Sequence, residues 1–216
     1  MSIRNRAELL DGAGLYVISG DHTPGRQADI LCAAIDGGAS MVQLRNKSAE
    51  PGDLLPAAVR VRDHAHAHGA ILVVNDHLDL AIEAGADGVH LGQDDLAVAQ
   101  ARDRWGGLVG QSTHGLAQAI SAQEAGVDYI GVGPVYETPT KPGRAAVGLG
   151  LLAEVKLAVS LPWFAIGGID SANIDQVIAA GASRVAVVRA VCDSPDPAAA
   201  ARGLLDHLAA PAAVTR

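Results

Sequence analysis

The chain has 216 residues and a formal net charge of −8, and hydrophobic residues make up 49% of it but aromatic residues only 3%. A chain of this length can bury one large core, so we expect a single domain over residues 1–216. The acidic balance argues against nucleic acid or an anionic membrane as a partner, because both select a broad basic face. An anionic ligand must therefore be bound by a local group of cations.

Cysteine use and the first residues indicate the compartment. Cys32 and Cys192 lie far apart, without metal-ligand spacing, and we interpret both as reduced thiols. Residues 1–8 contain no hydrophobic signal segment, and no stretch reaches the ~18 apolar residues of a membrane span. These features predict a soluble cytoplasmic protein.

Short apolar, β-branched runs alternate with longer Ala-rich segments along the whole chain. The sequence divided among eight such units leaves about 27 residues for each, which favours an α/β fold, the TIM (β/α)8 barrel, over about residues 14–208 with a disordered tail at 209–216. The clearest helices are predicted over Asp53 to His68, Leu116 to Glu124, Leu149 to Val159 and Ala172 to Ala180. Strands are predicted near Gly14 to Ser19, Met41 to Arg45, Ile71 to Asn75, Gly88 to Leu91, Leu108 to Ser112, Tyr129 to Gly133, Trp163 to Gly167 and Arg184 to Val188.

Two kinds of connection alternate between these elements. Glycine-led turns at Gly38, Gly85, Gly126 and Gly181 precede strands, and a left-handed glycine is a common helix end. We place these turns at the amino-terminal end of the barrel. The segments 19–26 and 133–148 follow strands and are longer and polar, which is typical of binding loops or lids.

Carboxylates follow the third and fourth predicted strands. Asp76 ends the segment Val73 to Asp76, and Asp95 ends Gly85 to Asp95. Neighbouring parallel strands would deliver both side chains to one edge, where Mg²⁺ takes one or two carboxylates and completes its shell with phosphate and water. Helix capping is the alternative for both residues, since Asp is a frequent N-cap.

Polar and cationic side chains follow the second and fifth strands. Alternation places Gln43, Arg45 and Lys47 on one side of an extended segment, so that they converge beyond the strand end. A solvated strand end is the alternative. Ser112 has two interpretations of equal weight, a helix cap or a hydrogen-bond donor to phosphate.

Two later segments fit an anion. Thr138, Thr140 and Lys141 can wrap one, although an ordinary polar loop is the alternative. Gly167 and Gly168 end the seventh strand, and the loops after strands seven and eight are the usual phosphate site of this barrel.

Two histidine patterns invite a metal or catalytic role. His64, His66 and His68 are spaced by two residues, which on a helix points neighbours apart, so we interpret the tract as an exposed helix end. His90 lies inside the fourth strand, where a hydrogen-bonded barrel histidine is favoured over a catalytic base.

Together these segments resemble the thiamine phosphate synthase family over about residues 14–192. The resemblance implies a TIM-barrel transferase that couples 4-amino-2-methyl-5-hydroxymethylpyrimidine diphosphate to 4-methyl-5-(2-hydroxyethyl)thiazole phosphate, or its carboxylated form. The products are thiamine phosphate and diphosphate, formed by an Mg²⁺-dependent dissociative substitution. The matching segments are Gln43 to Lys47, Asn75-Asp76, Gly88 to Asp95, Gly131 to Pro134, Thr138 to Lys141 and Ala165 to Ile169.

The resemblance also implies roles for single residues. Asp76 and Asp95 match the Mg²⁺ ligands, and the catalytic residues correspond to Arg45, Lys47, Ser112 and Lys141. The pyrimidine diphosphate site corresponds to Gln43, Leu44, Arg45, Asn46, Lys47, Asn75, Ser112 and Lys141. The thiazole phosphate site corresponds to Thr138, Pro139, Thr140, Gly168, Val188 and Arg189.

The chain departs from the family pattern at Arg189, where a small serine is usual, and at Asn46, where glutamate is commoner. Two alternatives stay open: a thiazole tautomerase, which is a related barrel that binds similar ligands, and a non-catalytic sensor of thiamine phosphate, which Arg189 suggests. The expected partners are phosphorylated small molecules. The oligomeric state, a homo-oligomer included, is left open by the sequence.

Overall fold

The computed structural model describes residues 6–138 and 145–209. Eight parallel strands form a closed barrel in the order of the chain, and β8 pairs with β1. Every predicted strand is present: β3 and β4 have the predicted bounds, and the ends of the other six differ by at most one residue. The strands are β1 Leu15–Ile18, β2 Met41–Leu44, β3 Ile71–Asn75, β4 Gly88–Leu91, β5 Leu108–Thr113, β6 Tyr129–Val132, β7 Trp163–Ile166 and β8 Val185–Val187.

Helices follow the strands and surround the barrel. The helix predicted over Leu116 to Glu124 has those bounds in the structure. α3 begins two residues earlier than predicted, at Pro51, and α2 begins at Pro24 inside the predicted loop 19–26, because proline suits the first helical turn. The helices are α1 Arg6–Leu9, α2 Pro24–Asp36, α3 Pro51–His68, α4 Leu78–Ala84, α5 Val98–Arg104, α6 Leu116–Glu124, α7 Gly150–Ala158, α8 Ile174–Ala179, α9 Arg189–Cys192 and α10 Pro197–Ala209.

Parts of the predicted tail and of one predicted loop lie outside the residues that the structure describes. Ala209, where we placed the start of a tail, is the last residue of α10, and residues 210–216 lie outside the described part. So do residues 139–144 of the predicted loop 133–148. Among the described residues, no helix is long and apolar enough to cross a membrane.

Alternation along each strand divides the core into two layers. In β1, Leu15 and Val17 pack outward among the helices, whereas Tyr16 and Ile18 pack into the barrel interior. The interior holds the single phenylalanine of the chain, Phe164, against two tyrosines. The Tyr16, Tyr129 and Phe164 rings meet edge to face, with centroids 5.2 to 6.0 Å apart. Three of the six aromatic residues of the chain therefore meet inside the barrel, and the other three pack against the outer core layer.

The glycine-led turns lie where the sequence predicted them, between a helix and the next strand. Gly38, Gly85, Gly126 and Gly181 have φ angles of 100°, 65°, 80° and 109°. This left-handed region strains residues that carry a Cβ. The four turns let each helix stop and reverse into its strand.

Gly110 of β5 provides a test of the interior packing. A Cβ there would lie 2.1 Å from the Tyr129 ring, which is fully buried and held by Tyr16 and Phe164. We expect Gly110→Ala to lower the free energy of unfolding by about 1–3 kcal/mol, measured by urea denaturation.

Gly203→Ala is the matched control, because a Cβ at this α10 position meets no atom within 4 Å. We expect it to be neutral or to stabilise by up to about 1 kcal/mol. Equal stability of the Gly110→Ala variant and the unchanged protein would show that the interior is not tightly packed around Tyr129.

Candidate active site at the carboxyl ends of the strands

A cavity of about 340 Å³ opens at the carboxyl ends of the strands. All eight strands, or the residues directly after them, contribute to its wall, because a closed parallel barrel ends all its strands at one rim. The polar lining includes Gln43, Arg45, Asn75, His90, Ser112 and Arg189. The apolar lining includes Ile18, Ile166 and Val188.

A chain of buried hydrogen bonds forms the floor of this cavity. The Gln43 amide donates to the Tyr16 hydroxyl, which lies 3.2 Å from the Tyr129 hydroxyl. His90 continues the chain, with Nδ1 3.1 Å from the Tyr129 hydroxyl and Nε2 2.9 Å from Ser112 Oγ. Burial raises the pKa of both tyrosines, so the phenols stay neutral. Gln43 and Ser112 are thereby held at the cavity wall, and His90 is the hydrogen-bonded barrel histidine that the sequence predicted.

Two carboxylates and a lysine meet after β2, β3 and β4, next to the lining residues Arg45 and Asn75 but not themselves in the cavity lining. Lys47 Nζ forms an ion pair with Asp76 Oδ2, and the Asp95 carboxyl lies close enough to Asp76 to affect its ionisation. Burial raises the pKa of Asp76 above its usual value, and Asp95 raises it further, while Lys47 opposes the rise. Paired carboxylates that repel each other in this way suit a hard divalent cation such as Mg²⁺.

The backbone at Asp76 has an uncommon conformation. Its φ is 61°, the one positive φ of a non-glycine residue in the described segments. The Asp76 N–H donates to the His90 carbonyl oxygen at 2.9 Å, which holds the residue between β3 and β4. Strain of this kind at a cavity rim is typical of functional residues.

The helix-capping alternatives are wrong for all three residues considered. The residues before α4 and α5 are His77 and Ala97, and neither helix receives a side-chain cap. Asp95 Oδ2 instead accepts from the Gly92 N–H at 2.6 Å, within its own turn. The residue before α6 is Gly115, so Ser112 does not cap that helix either.

Arg45 lines the cavity on a backbone that is fixed by neighbouring loops. Its N–H donates to Ser19 Oγ at 2.8 Å, and its carbonyl oxygen accepts from the Gln27 amide at 2.7 Å. Its guanidinium lies 3.8 Å from Asp21 Oδ1, and the side chain is 13% exposed. Arg45 is therefore a cation at the cavity wall whose backbone is fixed by hydrogen bonds.

Two predicted site residues have side chains directed elsewhere. Leu44 is buried in the outer core layer and does not line the cavity. The Asn46 amide donates to the His22 carbonyl oxygen, and Asn46 Oδ1 accepts from the N–H groups of Ser48 and Ala49. Asn46 therefore shapes the loop after β2, and its side chain faces away from the cavity, as the alternation predicted.

The opposite wall is built from backbone and one cation. Gly167 and Gly168 have φ angles of 106° and 66°, and a Cβ on Gly167 would lie 2.5 Å from Pro134 Cα. Thr138, Val188 and Arg189 line the same region. Exposed backbone N–H groups beside an arginine are suited to a phosphate. The predicted ligands Pro139, Thr140 and Lys141 lie outside the described residues.

Sequence reasoning missed several residues of the wall. Ile18 and Ile166 end β1 and β7, and their strand-end positions alone could have identified them. His114 lines the cavity, and its Nδ1 hydrogen-bonds with the Gly133 carbonyl oxygen. Asp170 also lines it, but its position after the glycine pair carries no distinguishing sequence pattern.

The fold is a TIM barrel, and its cavity lies at the carboxyl ends of the strands, where active sites of this fold lie. A sequence model of the family described as thiamine monophosphate synthase matches residues 15–191. The chain belongs to this family, which confirms the resemblance.

Curated relatives of the chain carry the name thiamine-phosphate synthase. A thiamine-phosphate synthase of Thermus thermophilus is 51% identical over 81% of this chain and 85% of its own. The thiamine-phosphate synthase of Thermobifida fusca is 47% identical over 94% of this chain and 96% of that relative. One of Gloeobacter violaceus is also 47% identical, over 92% of this chain, which spans only 58% of that relative.

Among solved structures, thiamine phosphate pyrophosphorylase of Pyrococcus furiosus superimposes with a TM-score of 0.85 at 29% identity. The superposition covers 94% of this chain and 98% of the Pyrococcus chain. A 3-hexulose-6-phosphate synthase, at 22% identity and a TM-score of 0.67, shares the fold alone.

The pKa of Asp76 gives a test in metal-free protein. The pKa of Asp76 is raised in the folded protein, so ionisation of this carboxyl opposes folding. The stability that the protonated carboxyl contributes is fully present below the unfolded-state pKa and is lost as pH rises through the folded-state pKa. We expect Asp76→Asn to be more stable than the unchanged protein near pH 7.5 in EDTA, and this gain to vanish as pH falls towards about 4.

The measurement is urea denaturation across this pH range, with Asp94→Asn as the control because Asp94 is an exposed carboxylate in the same loop as Asp95. A lower stability of the Asp76→Asn variant near neutral pH would mean that the ion pair with Lys47 outweighs burial.

Proposed function

We propose that this protein is a cytoplasmic thiamine phosphate synthase. It would couple 4-amino-2-methyl-5-hydroxymethylpyrimidine diphosphate to 4-methyl-5-(2-hydroxyethyl)thiazole phosphate, or its carboxylated form, in an Mg²⁺-dependent substitution. One observation carries the proposal: a single cavity is lined by Arg45 beside β2 and by a glycine pair and Arg189 after β7 and β8, and the Lys47, Asp76 and Asp95 cluster follows the adjoining strands β2 to β4. Two phosphorylated ligands can therefore face each other across the cavity.

The first end suits a diphosphate that leaves. Arg45 can form paired hydrogen bonds to phosphate oxygens, and Lys47 adds a mobile charge. Asn75, Gln43 and Ser112 line the adjoining wall, where they can orient the pyrimidine. Mg²⁺ held by Asp76 and Asp95 would neutralise charge that grows on the leaving group. Lys141, implied by the resemblance to act here, lies outside the described residues.

The second end suits the thiazole phosphate. Thr138, Gly168, Val188 and Arg189 surround the space in which its phosphate would lie. The attacking thiazole nitrogen carries no proton, so the reaction needs no general base. In keeping with this, His90 is engaged by Tyr129 and Ser112. Holding the two reactants in line supplies a large part of the rate enhancement.

The two alternatives make different demands on the cavity. A thiazole tautomerase binds similar ligands but has no diphosphate to expel, so the Asp76–Asp95 pair and its cations favour coupling. A non-catalytic sensor would keep the cavity without turnover, and Arg189 is the residue that raises this question, since it lines the thiazole phosphate end.

The deciding experiment is diphosphate release from the purified protein with both substrates, first with Mg²⁺ and then with EDTA. We expect release to need both substrates and the metal, with thiamine phosphate identified by mass spectrometry. Binding of either phosphorylated ligand without diphosphate release would overturn the proposal in favour of the tautomerase or the sensor.

Asp76→Ala tests the metal assignment. We expect Mg²⁺-dependent diphosphate release to fall at least about 100-fold, because changes in groups that merely orient metal ligands already lower activity 10–100-fold. Asp94→Ala, which removes an exposed carboxylate from the same rim, should keep nearly full activity. Full activity in the Asp76→Ala variant would contradict the proposal that Asp76 is a metal ligand.

Arg189→Ser tests the thiazole phosphate end. We expect the KM for the thiazole phosphate to rise about tenfold, as for the loss of one charged hydrogen bond, and the KM for the pyrimidine diphosphate to stay unchanged. Arg202→Ser, at an exposed position of α10, is the control. Equal rises in both KM values would mean that Arg189 shapes the whole cavity.

A further inference from the structure

A second cluster of ligand-type side chains lies on the outside of the barrel, away from the cavity. Asp36 is the last residue of α2, and His64 and His68 lie in the last two turns of α3. The two helices pack side by side. Since helices run back against the strands, their carboxyl ends lie at the amino-terminal end of the barrel, opposite the candidate active site.

The three side chains already point at one another. His64 Nε2 lies 2.8 Å from Asp36 Oδ1, and His68 Nε2 lies 3.9 Å from the same oxygen. All three donor atoms lie within 4.8 Å of one another. Ligands of tetrahedral Zn²⁺, bound at about 2.0–2.2 Å, are roughly 3.3–3.6 Å apart, so small side-chain shifts would bring the three atoms to ligand distance. His64 Nε2 donates to the Asp36 carboxylate in the metal-free protein and would release its proton to water when the metal binds.

Helical spacing explains the arrangement and corrects the sequence interpretation. The tract is spaced by two residues, which separates His66 from its neighbours, but His64 and His68 are four apart and share a face. Their rings stack with centroids 4.3 Å apart. His66 points elsewhere, and its Nε2 lies 3.1 Å from the Asp87 carboxylate.

One hydrogen bond prepares His68 for a metal. Its Nδ1 lies 2.8 Å from the His64 carbonyl oxygen, and a carbonyl only accepts, so Nδ1 carries the proton. In the neutral ring, the lone pair is then on Nε2, which faces Asp36. Metal-bound histidines are held in the same way, by donation of the other N–H to a carbonyl or carboxylate.

The two arginines near the site pair with other carboxylates. Arg60 NH1 is paired with Asp29 at 2.8 Å, and Arg62 with Asp63 at 2.7 Å. Cys32 lines the adjoining groove, but burial raises the pKa of its thiol, so it remains a protonated core group.

We propose that Asp36, His64 and His68 form a binding site for a divalent transition-metal ion, of which Zn²⁺ is the natural occupant for two imidazoles and a carboxylate. Water completes the coordination. The ion joins the ends of α2 and α3 and stabilises their packing. It takes no part in the reaction, because it lies at the far end of the barrel.

The test is calorimetric titration of the untagged full-length protein with Zn²⁺ in excess Mg²⁺, which saturates oxygen-only sites such as Asp76 and Asp95. The His64→Gln/His68→Gln double variant keeps polar helix-compatible side chains, and His66→Gln is the matched control from the same tract. We expect one equivalent of Zn²⁺ to bind the unchanged protein and the control, and binding to weaken at least about tenfold in the double variant.

Thermal melting gives a second readout that is independent of turnover. At the same Zn²⁺ concentration, Zn²⁺ should raise the Tm of the unchanged protein and of His66→Gln, and should raise the Tm of the double variant by less, because that variant binds Zn²⁺ more weakly. Failure of Zn²⁺ to bind the unchanged protein, or equal affinity in the double variant, would overturn the proposal. Neither result depends on whether the protein makes thiamine phosphate.

Discussion

Closure of the parallel sheet by the β8–β1 pairing is the constraint on which the rest of the structure depends. Once Leu15 pairs with Val185, all eight strands must end at the same rim, and residues far apart in the chain share one cavity wall. Alternation then sends every second side chain inward. The interior must be filled by these side chains, which include the three aromatic rings that meet edge to face.

The barrel interior becomes polar towards the carboxyl ends of the strands, where a chain of hydrogen bonds connects the core to the cavity. The hydrogen bonds from Gln43 through Tyr16, Tyr129 and His90 to Ser112 give each of these five side chains a partner, and burial keeps the tyrosines neutral. A fully satisfied buried network is rigid, whereas a broken one leaves polar atoms without water. The cavity floor is therefore fixed before any ligand arrives.

The two ends of the barrel carry different kinds of strain and charge. At the carboxyl end, Asp76 combines a positive φ with burial beside Asp95, which opposes folding but holds two carboxylates in reach of one cation. At the amino end, strain is avoided, since the positive φ angles there fall on glycines. The histidine and aspartate cluster of α2 and α3 lies at this end, where a bound ion can affect stability without altering the cavity.

The sequence alone determined the architecture and the family. Hydrophobic alternation and glycine-led turns are local properties, so the eight strands could be predicted within one residue and α6 with its observed bounds. The motifs around Gln43 to Lys47 and Asn75-Asp76 carried the resemblance that the family match confirmed. Positions along a strand also indicated that Gln43 and Arg45 would line one cavity and that Asn46 would face away.

Only the tertiary structure decided what these residues contact. Asp95 holds its own turn instead of capping a helix, Ser112 bonds to His90 from the neighbouring strand, and Asp36 meets His64 and His68 from another helix. These partners are distant in sequence, and their meeting depends on strand register, helix packing and backbone angles that close only when the barrel does. A local pattern contains the residue types but not the distances between them.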